Sequence, residues 1–145
     1  MINKKIFIKF NKFYNLPVNN KPTLLPVQRL KNFKQIFFDE VLEAEDIIAL
    51  QEEAFSKKEK IEALTELADW FGDIIWYVQS EAIKYGLDMD KILNIIKESN
   101  FSKLGKNNKP IYDKRGKVLK GSGYIKPQDK IRKYIESKSI YTSLV

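Results

Sequence analysis

The chain has 145 residues, 43% of them hydrophobic and 12% aromatic, with a formal net charge of +7. That is enough apolar material for one domain with a real core, and too much for a disordered segment. Cysteine and histidine are both absent, which excludes disulfides, thiolate zinc sites, imidazole acid–base catalysis and cysteine nucleophiles within this chain.

Any metal is therefore expected on oxygen ligands, which favours magnesium, manganese or calcium. The charge is unevenly placed: residues 1–36 carry eight Lys or Arg and no acid, whereas residues 39–73 carry twelve Asp or Glu against three Lys. Residues 74–145 carry fifteen Lys or Arg against seven acids. An acidic middle between basic flanks suits a polyphosphate ligand, met by metal on one side and lysines on the other. The same lysines open a nucleic-acid reading. No run of 18 apolar residues occurs, so no membrane span is expected. Lys9 interrupts the apolar start after three residues, which makes a poor signal peptide. Together with the lack of cysteine, this leads us to expect a cytoplasmic protein.

Residues 1–25 read as an irregular basic arm marked by Pro17 and Pro22, in which Phe10, Phe13 and Tyr14 form a short helical turn against the body. Residues 26–99 read as the helical core. The first helix is predicted over about residues 28–55, a stretch without Gly or Pro. Ser56 followed by Glu59 is a capping-box signature. It opens a second helix over residues 57–85, closed by Gly86 as a C-terminal cap. Asp88 caps a third helix running to about residue 99. Residues 100–127 read as loop and hairpin, with Lys109–Tyr112 and Lys117–Lys120 flanking a turn at residues 113–116. A last short helix is expected over residues 128–137, with a loose tail beyond. The fold class is all-α: an antiparallel helical bundle, as one domain, with a small C-terminal β-hairpin.

Two acidic pairs stand out. In the first long helix Phe33, Ile36, Glu40, Glu43, Ile47 and Leu50 form one stripe at spacings of three and four, so residues on it share a face. Carboxylates inside an apolar stripe are costly to bury unless paired or metal-bound. A second apolar side, with Leu30, Phe37, Val41, Ala44 and Ile48, predicts burial over much of this helix. In the second long helix Glu62, Glu66, Asp69, Asp73 and Trp76 make a line opposite Leu64, Leu67, Phe71, Ile74, Ile75 and Val78. Taken alone, that line reads as a solvated face. Like charges at this spacing repel, however, and Trp76 continuing the line suits a pocket wall. Docking the two helices, within one chain or across a dimer, would create a four-carboxylate site suited to magnesium with water and phosphate oxygens in its remaining positions.

At this point the residues resemble a known family. Asp39-Glu40-x-x-Glu43, a 22-residue gap and Glu66-x-x-Asp69 look like the EExxE…ExxD pattern of the MazG-like all-α nucleoside triphosphate pyrophosphohydrolases, with Asp39 where the family usually has Glu. Phe10-Asn-Lys-Phe13, Arg29-Leu30, Leu67-Ala-Asp69-x-x-x-Asp73-Ile-Ile-Trp-Tyr77, Gly86-Leu-Asp88, Ser99-Asn-Phe-Ser-Lys103 and Gly116 through Gly121 to Tyr124 look alike too. The latter half is most similar to the phosphoribosyl-ATP-pyrophosphohydrolase-like branch, and the likeness spans about residues 10–127. The resemblance implies magnesium-dependent hydrolysis, with manganese as an alternative, of a nucleoside triphosphate to monophosphate and pyrophosphate. It implies Glu40, Glu43, Glu66 and Asp69 as metal ligands and Asp73 as a further ligand or acceptor. Asp39 would orient or deprotonate the attacking water, with a shorter reach than Glu, and Glu40 and Glu43 would share the catalytic centre. Asn100 and Lys103 would hold the nucleotide, with Lys117, Lys120, Trp76 and Tyr77 as further substrate contacts. The family also implies a homodimer or homotetramer in which helices complete one another's bundles.

The leading expectation is thus a pyrophosphohydrolase acting on a deoxy or non-standard nucleotide. Its alternatives are the phosphoribosyl-ATP pyrophosphohydrolase of histidine biosynthesis and a non-enzymatic helical adaptor. A basic nucleic-acid binder ranks last, since no recognised binding motif accompanies the lysines.

Overall fold

A computed structural model describes residues 3–140. It contains two compact units, one ending at Gly86 and one beginning at Leu87. Among the described residues there are five α-helices and one 3-10 turn, and no helix is long and apolar enough to cross a membrane.

The N-terminal unit holds α1 (Lys4–Phe13), α2 (Val27–Glu52) and α3 (Lys57–Lys84). Helix α1 replaces the expected single turn in an irregular arm. Asn3 caps it, its side chain accepting the Lys5 N–H at 2.9 Å. Lysines at positions 4, 5, 9 and 12 cover the outer face, which hides the helical spacing of the residues that matter. Phe7 and Asn11, four apart, are fully buried. Asn11 Nδ2 donates to the Ser80 carbonyl at 2.9 Å and its Oδ1 accepts the Ser80 hydroxyl at 2.6 Å. Phe7 and Phe10 pack against Trp76 with ring centroids 4.8 and 5.2 Å away.

Helices α2 and α3 are antiparallel, since early α2 meets late α3. The Arg29 guanidinium donates to Glu81, and Trp70 Nε1 donates to the Glu40 carbonyl at 2.7 Å. The predicted capping box opens α3: the Glu59 N–H bonds to Ser56 Oγ and the Ser56 N–H to Glu59 Oε2. At the other end, the linker between α1 and α2 covers the last carbonyls of α3. Asn19 Nδ2 donates to the Lys84 carbonyl and the Thr23 N–H to that of Tyr85. Gly86 is required there, with φ of 68° and a notional Cβ only 1.9 Å from the Lys21 carbonyl oxygen.

The cover expected for the second apolar side of α2 is not supplied by the described residues of the single chain, and Glu40 is the one residue of α2 that is buried. Leu30, Val41 and Ile48 are exposed, as are Leu64, Phe71 and Ile75 on α3. Two long helices and one short one have too little surface to wrap one another on every side.

The C-terminal unit begins with α4 (Met89–Phe101), capped by the Asp88 side chain. The predicted end near residue 99 lengthens to Phe101. Ser99 and Ser102 then clamp the returning chain at Ile125, Ser99 Oγ donating to its carbonyl and Ser102 Oγ accepting its N–H, both at 2.8 Å. Helix α5 (Gln128–Ile140) outruns its predicted end, and the expected loose tail over residues 141–145 lies outside the described residues. The expected β-hairpin is corrected. The turn at residues 113–116 forms, with the Gly116 N–H on the Asp113 carbonyl, but the flanks make a single antiparallel bridge between Tyr112 and Val118. No strand occurs among the described residues. Four-residue flanks with exposed side chains have neither a third strand nor an apolar layer to rest on, and a lone two-stranded ribbon is marginal in water.

Candidate active site: an acidic groove beside an aromatic cavity

The helical spacing of the acids places them where α2 and α3 run side by side. One groove of about 290 Å³ is lined by Glu43, Asp46, Ile47 and Leu50 from α2 and by Glu66, Asp69, Trp70 and Asp73 from α3. Four of the sequence-predicted acids, Glu43, Glu66, Asp69 and Asp73, therefore share one groove. Asp46 joins them and was missed. Continuing the three-residue step from Glu40 and Glu43 would have reached it.

Glu40 occupies a different position. It is 8% exposed, and its Oε2 is buried without a hydrogen-bond partner. Burial pushes its carboxyl above the ordinary range, and the charges of Glu43, Asp73 and Asp39 add to that, while interaction with the Tyr77 hydroxyl opposes it. The Tyr77 hydroxyl is itself raised, first by burial and then by Glu40. Asp39 is exposed and accepts a hydrogen bond from Gln35 Nε2 at 2.9 Å.

A donor set made only of carboxylates suits a hard divalent cation, and a buried, unpartnered carboxylate oxygen is the kind of atom a cation satisfies. Among the described residues, however, no three carboxylates stand close enough to hold one ion. Glu43, Glu66, Asp69 and Asp73 are all exposed, so side-chain rotation is the adjustment that ligation requires.

A second cavity, of about 460 Å³, lies between α1, α2 and α3. Phe10, Tyr14, Phe33, Ile36, Trp76 and Tyr77 supply its apolar wall, and Arg29, Glu81 and Lys84 its polar floor. Asp73 lines both this cavity and the acidic groove. Trp76 does double duty, packing on Phe7 and Phe10 while facing the cavity. Glu81 accepts Arg29 Nε at 2.9 Å and Nη2 at 2.7 Å, and Lys84 Nζ at 2.7 Å. Burial pushes the Glu81 carboxyl up, but the hydrogen bonds from Arg29 and Lys84 outweigh it and hold the group below its ordinary value. Sequence reasoning did not find this cluster: Glu81 and Lys84 are three apart on α3, but Arg29, which completes it, lies 52 residues before Glu81.

The remaining candidates belong to the C-terminal unit. Lys103, just past the end of α4, donates from Nζ to Asn100 Oδ1 on its last turn at 2.6 Å. Lys117 is exposed beside the turn, its N–H bonded to Asp113 Oδ1, and Lys120 Nζ lies 4.7 Å over the Tyr124 ring.

No protein-family model matches the chain, and no curated protein does. Among solved structures the chain is similar to that of a proposed NTP pyrophosphohydrolase from Exiguobacterium sp. 255-15. The two share 20% identity over 97% of this chain and 96% of that one, with a TM-score of 0.47.

Proposed function

We propose that the protein hydrolyses a nucleoside triphosphate, of deoxy or non-standard type, to the monophosphate and pyrophosphate with magnesium or manganese. The observation that carries this reading is the junction at Asp73 of an acidic groove and an aromatic cavity. A nucleotide has the same two halves, a flat ring with apolar faces and a polyphosphate chain. Glu43, Glu66, Asp69 and Asp73 would hold the metal from the groove and Glu40 from its buried position. When bound there, magnesium supplies charge stabilisation on the phosphate oxygens and an acidified water.

The chain's own residues do the rest. Water attack on the α-phosphorus breaks its bond to the bridging oxygen, pyrophosphate departs, and a carboxylate takes the proton of the water. Asp39 is the proposed acceptor, with Glu40 and Glu43 adjacent on the same helix. Trp76 and Tyr77 bound the base. Asn100, Lys103, Lys117 and Lys120 are proposed as further phosphate contacts. The uncovered apolar faces of α2 and α3 are proposed to meet a second copy of the chain, as dimer or tetramer; a monomer by sedimentation at micromolar concentration would count against this.

The test is incubation with each ordinary ribo- and deoxyribonucleoside triphosphate plus magnesium, following pyrophosphate and monophosphate. Turnover that disappears in Glu40→Gln supports the reading. No turnover of any substrate, with Glu40→Gln indistinguishable from the parent, overturns it. Tolerance of Glu43→Gln would instead favour the helical adaptor.

A further inference from the structure

The polar floor of the aromatic cavity is given no part in the phosphate chemistry proposed above. Asp73 and Lys84 are eleven residues apart on α3, a rise of roughly 16 Å at 1.5 Å per residue. The floor therefore lies at the end of the cavity away from the acidic groove. Lys84 is 6% exposed and Glu81 5%. The ammonium has three donors, and among the described residues one of them is bonded, to Glu81 Oε2. The carboxylate has about four lone-pair positions; Arg29 takes one on each oxygen and Lys84 a second on Oε2. One acceptor position remains, on Oε1.

An ion pair tying α2 to α3 needs only Arg29 and Glu81. A second buried cation on the same carboxylate leaves the cluster with a net positive charge and spare donor capacity, which an acceptor in the cavity would use. The walls above are aromatic, which suits a flat ring carrying such an acceptor. Its attachment point faces the groove if the phosphates are to reach the acids, so its far edge meets the floor.

We propose that Lys84 and Glu81 read this edge and select bases carrying a ring N–H beside a C=O over bases carrying a ring nitrogen acceptor beside an NH2 group. The first pattern gives its oxo group to Lys84 and its N–H to Glu81 Oε1, as in uracil, thymine, hypoxanthine and guanine. The second, as in cytosine and adenine, sets an amino donor against an ammonium and a lone pair against a carboxylate. The inference rests on the nucleotide reading and adds to it which edge is recognised. A site built around such donors rejects the reversed pattern because its buried polar groups are left unpaired.

The experiment compares matched pairs, dUTP with dCTP and dITP with dATP, by kcat/KM in the parent protein, Lys84→Met and Lys84→Arg. Binding of dUMP, dCMP, dIMP and dAMP without metal is measured in parallel by tryptophan fluorescence. The parent is expected to favour the oxo member of each pair by about tenfold or more, in turnover and in binding. Lys84→Met should bring each ratio within about threefold, and Lys84→Arg should keep its direction. Equal or reversed preference in the parent overturns the proposal without need of any variant, as does a preference that survives Lys84→Met. If no triphosphate is hydrolysed but dUMP and dIMP bind in preference, edge recognition stands and hydrolysis falls. If triphosphates are hydrolysed without discrimination, hydrolysis stands and edge recognition falls. If nothing binds and nothing is hydrolysed, both fall.

Discussion

Replacing Glu40 by Gln should remove activity and raise stability together. Oε2 of Glu40 is buried with no partner, and Glu43, Asp73 and Asp39 add like charge around it. An unsatisfied buried polar atom costs about 1–3 kcal/mol, more when charged. The amide of Gln keeps the shape and part of the polar cost but sheds the charge. A gain of about 1 kcal/mol is therefore expected, or about 2–4 °C in Tm for a chain of this size. The pH dependence follows from the raised carboxyl. The ionised form is disfavoured in the fold, so the stability contributed by protonated Glu40 is present at low pH. It is lost as pH rises from the unfolded value through the raised folded value. The advantage of Gln should then grow across that window and level off above it. Magnesium should stabilise the parent more than the variant. The assay is thermal unfolding of both proteins from pH 4 to pH 8, with and without magnesium. A variant that is less stable at neutral pH, with a pH-independent difference, would refute the idea that Glu40 is a destabilised charge kept for ligation.

Other substitutions test other joints. Asn11→Ala strips the Ser80 hydroxyl and carbonyl of their partner in the α1–α3 contact and should cost about 2–3 kcal/mol by urea denaturation. Ser56→Ala removes the α3 cap and should cost about 1 kcal/mol in the same assay while leaving kcat/KM unchanged. Glu81→Gln breaks the pair with Arg29 and Lys84 and leaves both cations without their anion; a loss of about 3 kcal/mol is expected at pH 7. Because the Glu81 carboxyl is held low, its contribution is present above the unfolded value and lost as pH falls through the folded one, so the two proteins should converge in acid.

Local chemistry made much of this architecture readable in advance. The capping box at Ser56, the Asp88 cap and the helix stop at Gly86 are signalled by neighbouring residues, and each forms as read. The three- and four-residue steps put each helix's acids on one face, but it was the family resemblance that joined the two sets; Glu43, Glu66, Asp69 and Asp73 do line one groove, and Glu40 does not. What escaped depends on distant partners. Helix α1 was hidden because lysines interrupt its pattern and its buried face is fixed by Ser80 and Trp76, far along the chain. The Arg29, Glu81 and Lys84 cluster depends on Arg29, 52 residues before Glu81. The hairpin flanks had strand-like residues but nothing to pack on, and the apolar side of α2 had the spacing of a buried face without a partner inside the chain to bury it.

Cleavage between the α and β phosphates through water attack at the α-phosphorus can be followed by turnover in ¹⁸O-labelled water. One labelled oxygen is expected in the nucleoside monophosphate and none in the pyrophosphate. Label in the pyrophosphate, or release of orthophosphate with the diphosphate, would contradict it.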